Sequence, residues 1–235
     1  MDEKLYAPRD WTLHPPYLYE GYTATVLRSP RKPLVPLPET LSELTGPVYG
    51  HDALSEGDDD LSTNAAVNGA PLGERIIVTG RVLDETGKPV PGTLLEVWQA
   101  NAAGRYHHEA DRHEAPLDPN FSGAGRVVTD GEGRYRFTTI RPGCYPWPNH
   151  DKAFRPAHIH FSLFGPSFVT RVVTQMYFPG DPLLPIDPIF LSVPDEDARN
   201  RLVAAYSLEE TVDHWALAYE FDIVLRGRFA TPREA

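Results

Sequence analysis

The sequence predicts an all-β domain, an antiparallel sandwich or barrel, carrying an irregular N-terminal arm. Three observations point there. The chain has 24 prolines and 18 glycines without a period, which favours many turns over long helices. Short β-branched and aromatic runs alternate with turn clusters from about residue 74 onward. Only one stretch, 194–206, reads as a good helix.

Residues 1–70 form the arm, and 71–235 the β domain. The arm is proline-rich and poorly periodic, a pattern that predicts a segment wrapping a partner chain. Within it, LPETLSELTG (37–46) reads as one short helix stopped by Gly46. LSEGDDDLSTN (54–64) is acidic and polar, and reads as a surface loop. The first strand is RIIVTGRVL (75–83), followed by the turn cluster DETGKPVPG and the strand TLLEVWQA (93–100). GRVVTD (125–130) and RYRFTTI (134–140), joined by GEG, read as a hairpin. AHIHFSLFG (157–165) and TRVVTQMYF (170–178) are two further strands. In PDEDARNRLVAAY (194–206), Pro194 stands in the first turn and acids cluster at the start, as the helix dipole favours. WALAYEFDIVLRG (215–227) reads as one last long strand.

The composition excludes several classes. A net charge of −11 argues against a nucleic-acid binder, which needs basic surface to meet phosphates. No run approaches the roughly 18 apolar residues of a membrane span. The opening MDEKLYAPRDW has no apolar stretch and predicts no secretory signal. Cys144 is the one cysteine, so no intrachain disulfide can form, and a reducing, cytoplasmic location is expected.

His158 and His160 are the sharpest chemical feature. Alternate side chains of a strand share a face. His158, His160 and Ser162 therefore lie on one side, and Ile159, Phe161 and Leu163 on the other. The imidazoles stand about 6.6 Å apart at Cα, close enough to converge on one ion. Two histidines on a solvated face would give the same spacing. Tyr106, His107, His108 and Glu109 are candidate ligands in GRYHHE (104–109), although HHEADRHE (107–114) also reads as a solvated charged run. Tyr145 sits in the rigid PGCYPWPNH (142–150), where Pro146 biases it toward extended backbone. It could pack as a wall residue or act as a ligand, and Cys144 beside it is a soft-ligand competitor suited to copper or zinc. Trp98 reads as core. Arg155 is either a surface charge or a cation aimed at the histidine pocket. Gln175 and Tyr177 share one face of their strand and could line that pocket. Tyr22 and Arg28 read as loop anchors in the arm.

LLEVWQANAAGRYHH, PGCYPWP, FRPAHIHFSL and TQMYFPGD together resemble the intradiol dioxygenases, most nearly their protocatechuate branch. The similarity runs over nearly the whole chain, including GYTATVLRSP (21–30) and DIVLRGR (222–228). The resemblance implies a prealbumin-like antiparallel β-sandwich and a mononuclear non-haem Fe(III). By motif, Tyr106 would be a retained tyrosinate ligand and Tyr145 one that departs when substrate binds. His158 and His160 would supply two nitrogens, and Arg155 would stabilise negative charge on the ring. Trp147, Gln175 and Tyr177 would surround substrate or oxygen, with Tyr22 near a substrate carboxylate. A homologous α subunit would complete a hetero-oligomer. The implied reaction is O₂-dependent cleavage of 3,4-dihydroxybenzoate (protocatechuate) to 3-carboxy-cis,cis-muconate, in the β-ketoadipate pathway.

The donor set suits that reading. Tyrosine is normally protonated, with a pKa of about 10, and a trivalent ion reverses the preference. Anionic oxygen donors favour ferric over ferrous iron, unlike the two-histidine, one-carboxylate set of ferrous oxygenases. Three rivals remain at this stage: a non-catalytic β-sandwich binding module, a cupin-like metalloprotein drawing on His107, His108 or Glu109, and a relative cleaving catechol or hydroxyquinol.

Overall fold

The computed structural model describes residues 11–21, 29–30, 32, 54–150, 153–164 and 172–234. The helix expected at 37–46, and Tyr22 and Arg28, lie outside the described residues. The fold is a sandwich of two sheets, as expected. β1 (Arg75–Leu83), β4 (Arg134–Ile140), β9 (Ala205–Val212), β10 (Ala216–Glu220) and β11 (Ile223–Val224) make the first sheet. β2 (Leu94–Gln99), β3 (Ala124–Val128), β7 (His158–Phe164) and β8 (Val172–Tyr177) make the second, in the order β3-β2-β7-β8. A small ribbon pairs β5 (Tyr145–Pro146) with β6 (Phe154–Arg155).

Antiparallel pairing dominates, but β1 takes β10 and β11 as parallel neighbours on one side and β4 antiparallel on the other. The inward faces bury Ile76, Val78 and Val82 of β1, Tyr135 and Phe137 of β4, Leu95 and Val97 of β2, and Ile159, Phe161 and Leu163 of β7 in one core. This is the period-2 alternation of a packed sheet.

Four expectations need correction. β3 and β4 are not a hairpin. Their turn is tight, with Gly133 N–H donating to the Asp130 carbonyl at 3.0 Å, yet β3 pairs with β2 and β4 with β1. A turn motif fixes local reversal and not the choice of partner. β4 matches β1 in an unbroken register from Arg75↔Ile140 to Arg81↔Arg134.

The acidic stretch 54–64 is more than a surface loop. Asp58 O accepts from Arg126 N of β3 at 2.9 Å. Asp59 O accepts from Thr138 N of β4, and Leu61 N donates back to Thr138 O, both at 2.9 Å. The segment ties the two sheets together, and Leu61 is fully buried in the core. Gly125 makes room for it, because a Cβ there would stand 2.4 Å from Leu61 Cδ1.

The long last strand is two short ones. Phe221 and Asp222 interrupt it, with Phe221 N donating to Thr79 O and the Asp222 carboxylate accepting from Arg81 N at 2.7 Å. Gly80 allows this approach, since a Cβ would lie 2.0 Å from Phe221 O.

The helix expected over 194–206 is confined to α2 (Glu196–Asn200), capped by the Asp195 side chain; a preceding short helix, α1 (Pro188–Leu191), is capped by Asp187. The chain leaves α2 because Leu202 O and Ala204 N bond to Tyr177 at the end of β8. It then enters β9, a mostly exposed strand whose sequence lacks apolar alternation and so gave no signal.

Leu61→Ala should lower stability by about 2–5 kcal/mol, the usual range for emptying a buried leucine site, measured by denaturant unfolding.

Candidate metal centre and active site

β7 is buried on both faces. Ile159, Phe161 and Leu163 point into the sandwich, while His158 and His160 are 1% and 8% exposed on the other side. The solvated-face reading of the histidines is therefore excluded. Three segments cover them: the loop after β2, the β5–β6 ribbon and the C-terminal tail.

The loop after β2 is organised by Asn101. Its carbonyl accepts from Gly104 N and Gly143 N, and its side-chain oxygen accepts from Ala103 N and Arg105 N. This clips the loop to the segment that leads into Tyr145. Gly104, at φ +80°, is essential to the contact, because a Cβ would sit 2.1 Å from Cys144 O. Asp111 then holds Tyr106 by its backbone N–H at 2.8 Å.

Tyr106 and Tyr145 meet edge to face, with centroids 5.4 Å apart. Tyr106 Oη lies 3.1 Å from His160 Nε2 and 3.4 Å from His158 Nε2, and Tyr145 Oη lies 3.3 Å from His158 Nε2. Donors bonded to one ion at about 2.0–2.1 Å in a tetrahedral set stand about 3.3 Å apart. The three separations match those between neighbouring ligands of a single ion. His158 Nδ1 faces the Pro156 carbonyl at 2.7 Å, so that nitrogen carries the proton and Nε2 presents its lone pair to the centre. His160 Nδ1 faces the Glu234 carboxylate at 3.2 Å, with the same consequence.

The electrostatics agree. Burial pushes the Tyr106 hydroxyl well above its ordinary pKa, and Tyr145 adds to the effect. Burial also raises Tyr145, with Arg155 pulling the other way. Burial, then Arg155 and His160, hold His158 well below the usual imidazole value. Even beside Arg155 both hydroxyls hold their protons, so a further cation would be needed to favour two phenolates here.

Arg155 faces the same centre. β5 and β6 place it opposite Tyr145. Its guanidinium bonds Asp187 at 3.0 Å, Gln175 at 2.5 Å and the Tyr177 hydroxyl at 3.1 Å. Burial opposes its charge, but Tyr177 and Asp187 outweigh it and hold the group protonated more firmly than an ordinary arginine. Gln175 and Tyr177 stand beside the histidines because His160 pairs with Gln175, and His158 with Tyr177, across β7–β8. Trp147 lies against Arg155, 5.9 Å from ring centroid to guanidinium carbon.

The structure thus gathers Tyr106, Tyr145, His158, His160, Arg155, Trp147, Gln175 and Tyr177. Trp98 is not core: it is half-buried and stacks on His160 at 4.8 Å with planes 5° apart. Cys144, His107, His108 and Glu109 are exposed and stand outside the cluster. Among the described residues no group of three or more His, Cys, Asp and Glu could hold a metal, and the further oxygen donors beside the histidine pair are the two tyrosine hydroxyls. Sequence reasoning missed Asp187 and Glu234. Asp187 carried a faint signal, an acidic residue before a proline at a helix start, whereas Glu234 carried none.

Residues 44–227 match the model of a family described as dioxygenase, and residues 7–40 match one described as protocatechuate 3,4-dioxygenase beta subunit N terminal. The chain is 63% identical to the protocatechuate 3,4-dioxygenase beta chain of Burkholderia cepacia, over 97% of this chain and 96% of that one. It belongs to the intradiol ring-cleavage dioxygenases. This dioxygenase is also 34% identical to hydroxyquinol 1,2-dioxygenase of a Rhizobium species, over 63% of its own length and 51% of the relative's. A solved structure of hydroxyquinol 1,2-dioxygenase from Pseudomonas putida superposes with a TM-score of 0.54 at 27% identity, covering 77% of this chain and 64% of that one. The binding-module rival falls with this membership. No helix among the described residues is long and apolar enough to cross a membrane.

Two outcomes are expected. Gly104→Ala should part the two tyrosine-bearing loops and destabilise the fold by about 1–3 kcal/mol, read by denaturant unfolding. In the metal-free enzyme, His158 is held neutral, with its folded pKa below the unfolded value of 6.5. The unfolded chain therefore binds the extra proton first, and this contribution to stability is full above pH 6.5 and declines as pH falls below it. Thermal unfolding across that range should show the decline, and His158→Asn should flatten it.

Proposed function

We propose that this dioxygenase cleaves 3,4-dihydroxybenzoate with O₂ to 3-carboxy-cis,cis-muconate, using non-haem Fe(III) held by Tyr106, Tyr145, His158 and His160. The observation that carries the reading is the convergence of Tyr106 Oη on both imidazole Nε2 atoms, at 3.1 and 3.4 Å, and of Tyr145 Oη on His158 Nε2 at 3.3 Å. The residues fit a ferric ion, because two phenolates offset most of its charge and two neutral imidazoles complete the set. When bound, the ion supplies Lewis-acid activation of the diol toward O₂.

The chain's own groups handle protons and charge. Tyr145 Oη, ionised in the loaded site, is the base that takes a proton from one substrate hydroxyl. Tyr106 stays in place, held by Asp111 and by the Asn101 loop. Arg155 presents a fixed positive charge toward the anionic diol, and Asp187, Gln175 and Tyr177 keep it from rotating away. Trp147, Gln175 and Tyr177, gathered around Arg155, are assigned to the substrate side. Tyr22, in the arm, is assigned to the substrate carboxylate. Both oxygen atoms of O₂ enter the product, so no external reductant is needed. The reaction belongs to aromatic catabolism through the β-ketoadipate pathway.

A homologous α subunit is the proposed partner, supported by the likeness to a named beta chain over nearly the full length. The match of residues 7–40 to a beta-subunit segment adds to it, and the arm ahead of the 54–64 segment is assigned to that contact. Cleavage of catechol or hydroxyquinol is the second reading, favoured by the hydroxyquinol relative.

The purified enzyme should be red-brown from phenolate-to-iron charge transfer, and anaerobic protocatechuate should shift the band. A colourless protein with iron confirmed present would overturn tyrosinate ligation. Faster turnover of catechol or hydroxyquinol than of protocatechuate would transfer the assignment to the second reading.

A further inference from the structure

The two imidazoles of the centre are supported unequally. His158 leans on a neutral backbone carbonyl, that of Pro156, at 2.7 Å. His160 leans on a carboxylate, that of Glu234, at 3.2 Å. Glu234 comes from the C-terminal tail, far from β7 in sequence, and the tail is tied down over its whole course. Thr231 and Val224 exchange two hydrogen bonds, Thr231 N to Val224 O and Val224 N to the Thr231 hydroxyl, both at 2.9 Å. Pro232 O accepts from the Thr174 hydroxyl at 2.7 Å, and Arg233 N donates to His14 Nδ1 at 3.2 Å. Glu234 N donates to Val173 O at 2.8 Å. These bonds run the tail along the outer edge of β8 and aim the carboxylate at the back of His160. The tail also lies beyond residue 227, where the match to the dioxygenase family model ends.

We infer that Glu234 is a positioning residue for His160, fixing its Nε2 toward the metal and making it the more strongly donating of the two imidazoles. A carboxylate accepting from the far nitrogen of a ligating histidine locks the ring orientation and tautomer and raises the basicity of the near nitrogen. Stacking on Trp98 leaves the ring one plane in which to lie, and Glu234 sets its rotation within that plane. A neutral carbonyl behind His158 orients that ring without adding comparable basicity. The inference rests on the proposed iron site.

The test compares Glu234→Gln and Glu234→Ala with the wild-type holoenzyme in three measurements: iron loss to a competing chelator, the position of the charge-transfer band, and melting of the metal-free protein. Glu234→Gln keeps an acceptor and the backbone bond to Val173 while removing the charge. Glu234→Ala should lower iron affinity by about 10–100-fold. Glu234→Gln should fall between it and wild type, with a shifted band and unchanged metal-free melting. Wild-type iron retention and band position in both variants would overturn the inference. So would iron loss in Glu234→Ala that merely follows a drop in metal-free melting, with Glu234→Gln indistinguishable from wild type. A wild-type protein that binds no iron would instead sink the proposed function.

Discussion

Everything at the centre depends on β7 being buried on both faces. A strand in a two-layer sandwich ordinarily spends one face on the core and leaves the other to water. Here the apolar face, Ile159, Phe161 and Leu163, anchors the strand in the core. The opposite face presents His158 and His160 to a second enclosure made of loops and tail. The rigidity of the core thus passes directly to the imidazoles, and register with β8 adds Gln175 and Tyr177 at fixed positions.

Building the second enclosure requires loops to approach more closely than side chains normally allow. Glycine solves the problem at Gly104, where backbone meets the Cys144 carbonyl. Asn101 supplies the hydrogen bonds that keep the two loops in contact. The result brings Tyr106 and Tyr145, from separate loops, to one face of the histidine pair. Neither tyrosine has regular secondary structure of any length to hold it, so loop chemistry does the positioning.

Arg155 is the fixed charge of the site. A buried guanidinium is costly unless paired and fully bonded. Asp187 supplies the countercharge while also capping α1, so the same carboxylate ties the cation to a helix start. The pair is better understood as a device of orientation than of stability, since a buried ion pair often gains little over apolar packing. The chain's net charge of −11 bears on none of this, because the field at the centre is set by groups within a few ångströms.

The sequence by itself determined the β class, most strand positions and the two-residue spacing that puts both histidines on one face, because those follow from local periodicity. Tyr106, Tyr145 and Arg155 were candidates among alternatives, and the motif resemblance singled them out. Partner choice was beyond local reading. The 130–133 turn sends β3 and β4 to different sheets, and the acidic 54–64 segment enters the core through Leu61. Helix end and edge strand were equally hidden, since hydrogen bonds to Tyr177 stop the one and no apolar pattern marks the other. Trp98 was assigned to the core from its strand alone, but register with His160 turns it to the histidine side of the sheet. Asp187 and Glu234 reach the site from loops and tail with no spacing that links them to β7. Only tertiary structure decides such contacts, because they depend on which distant segments pack together and not on the period of any one of them.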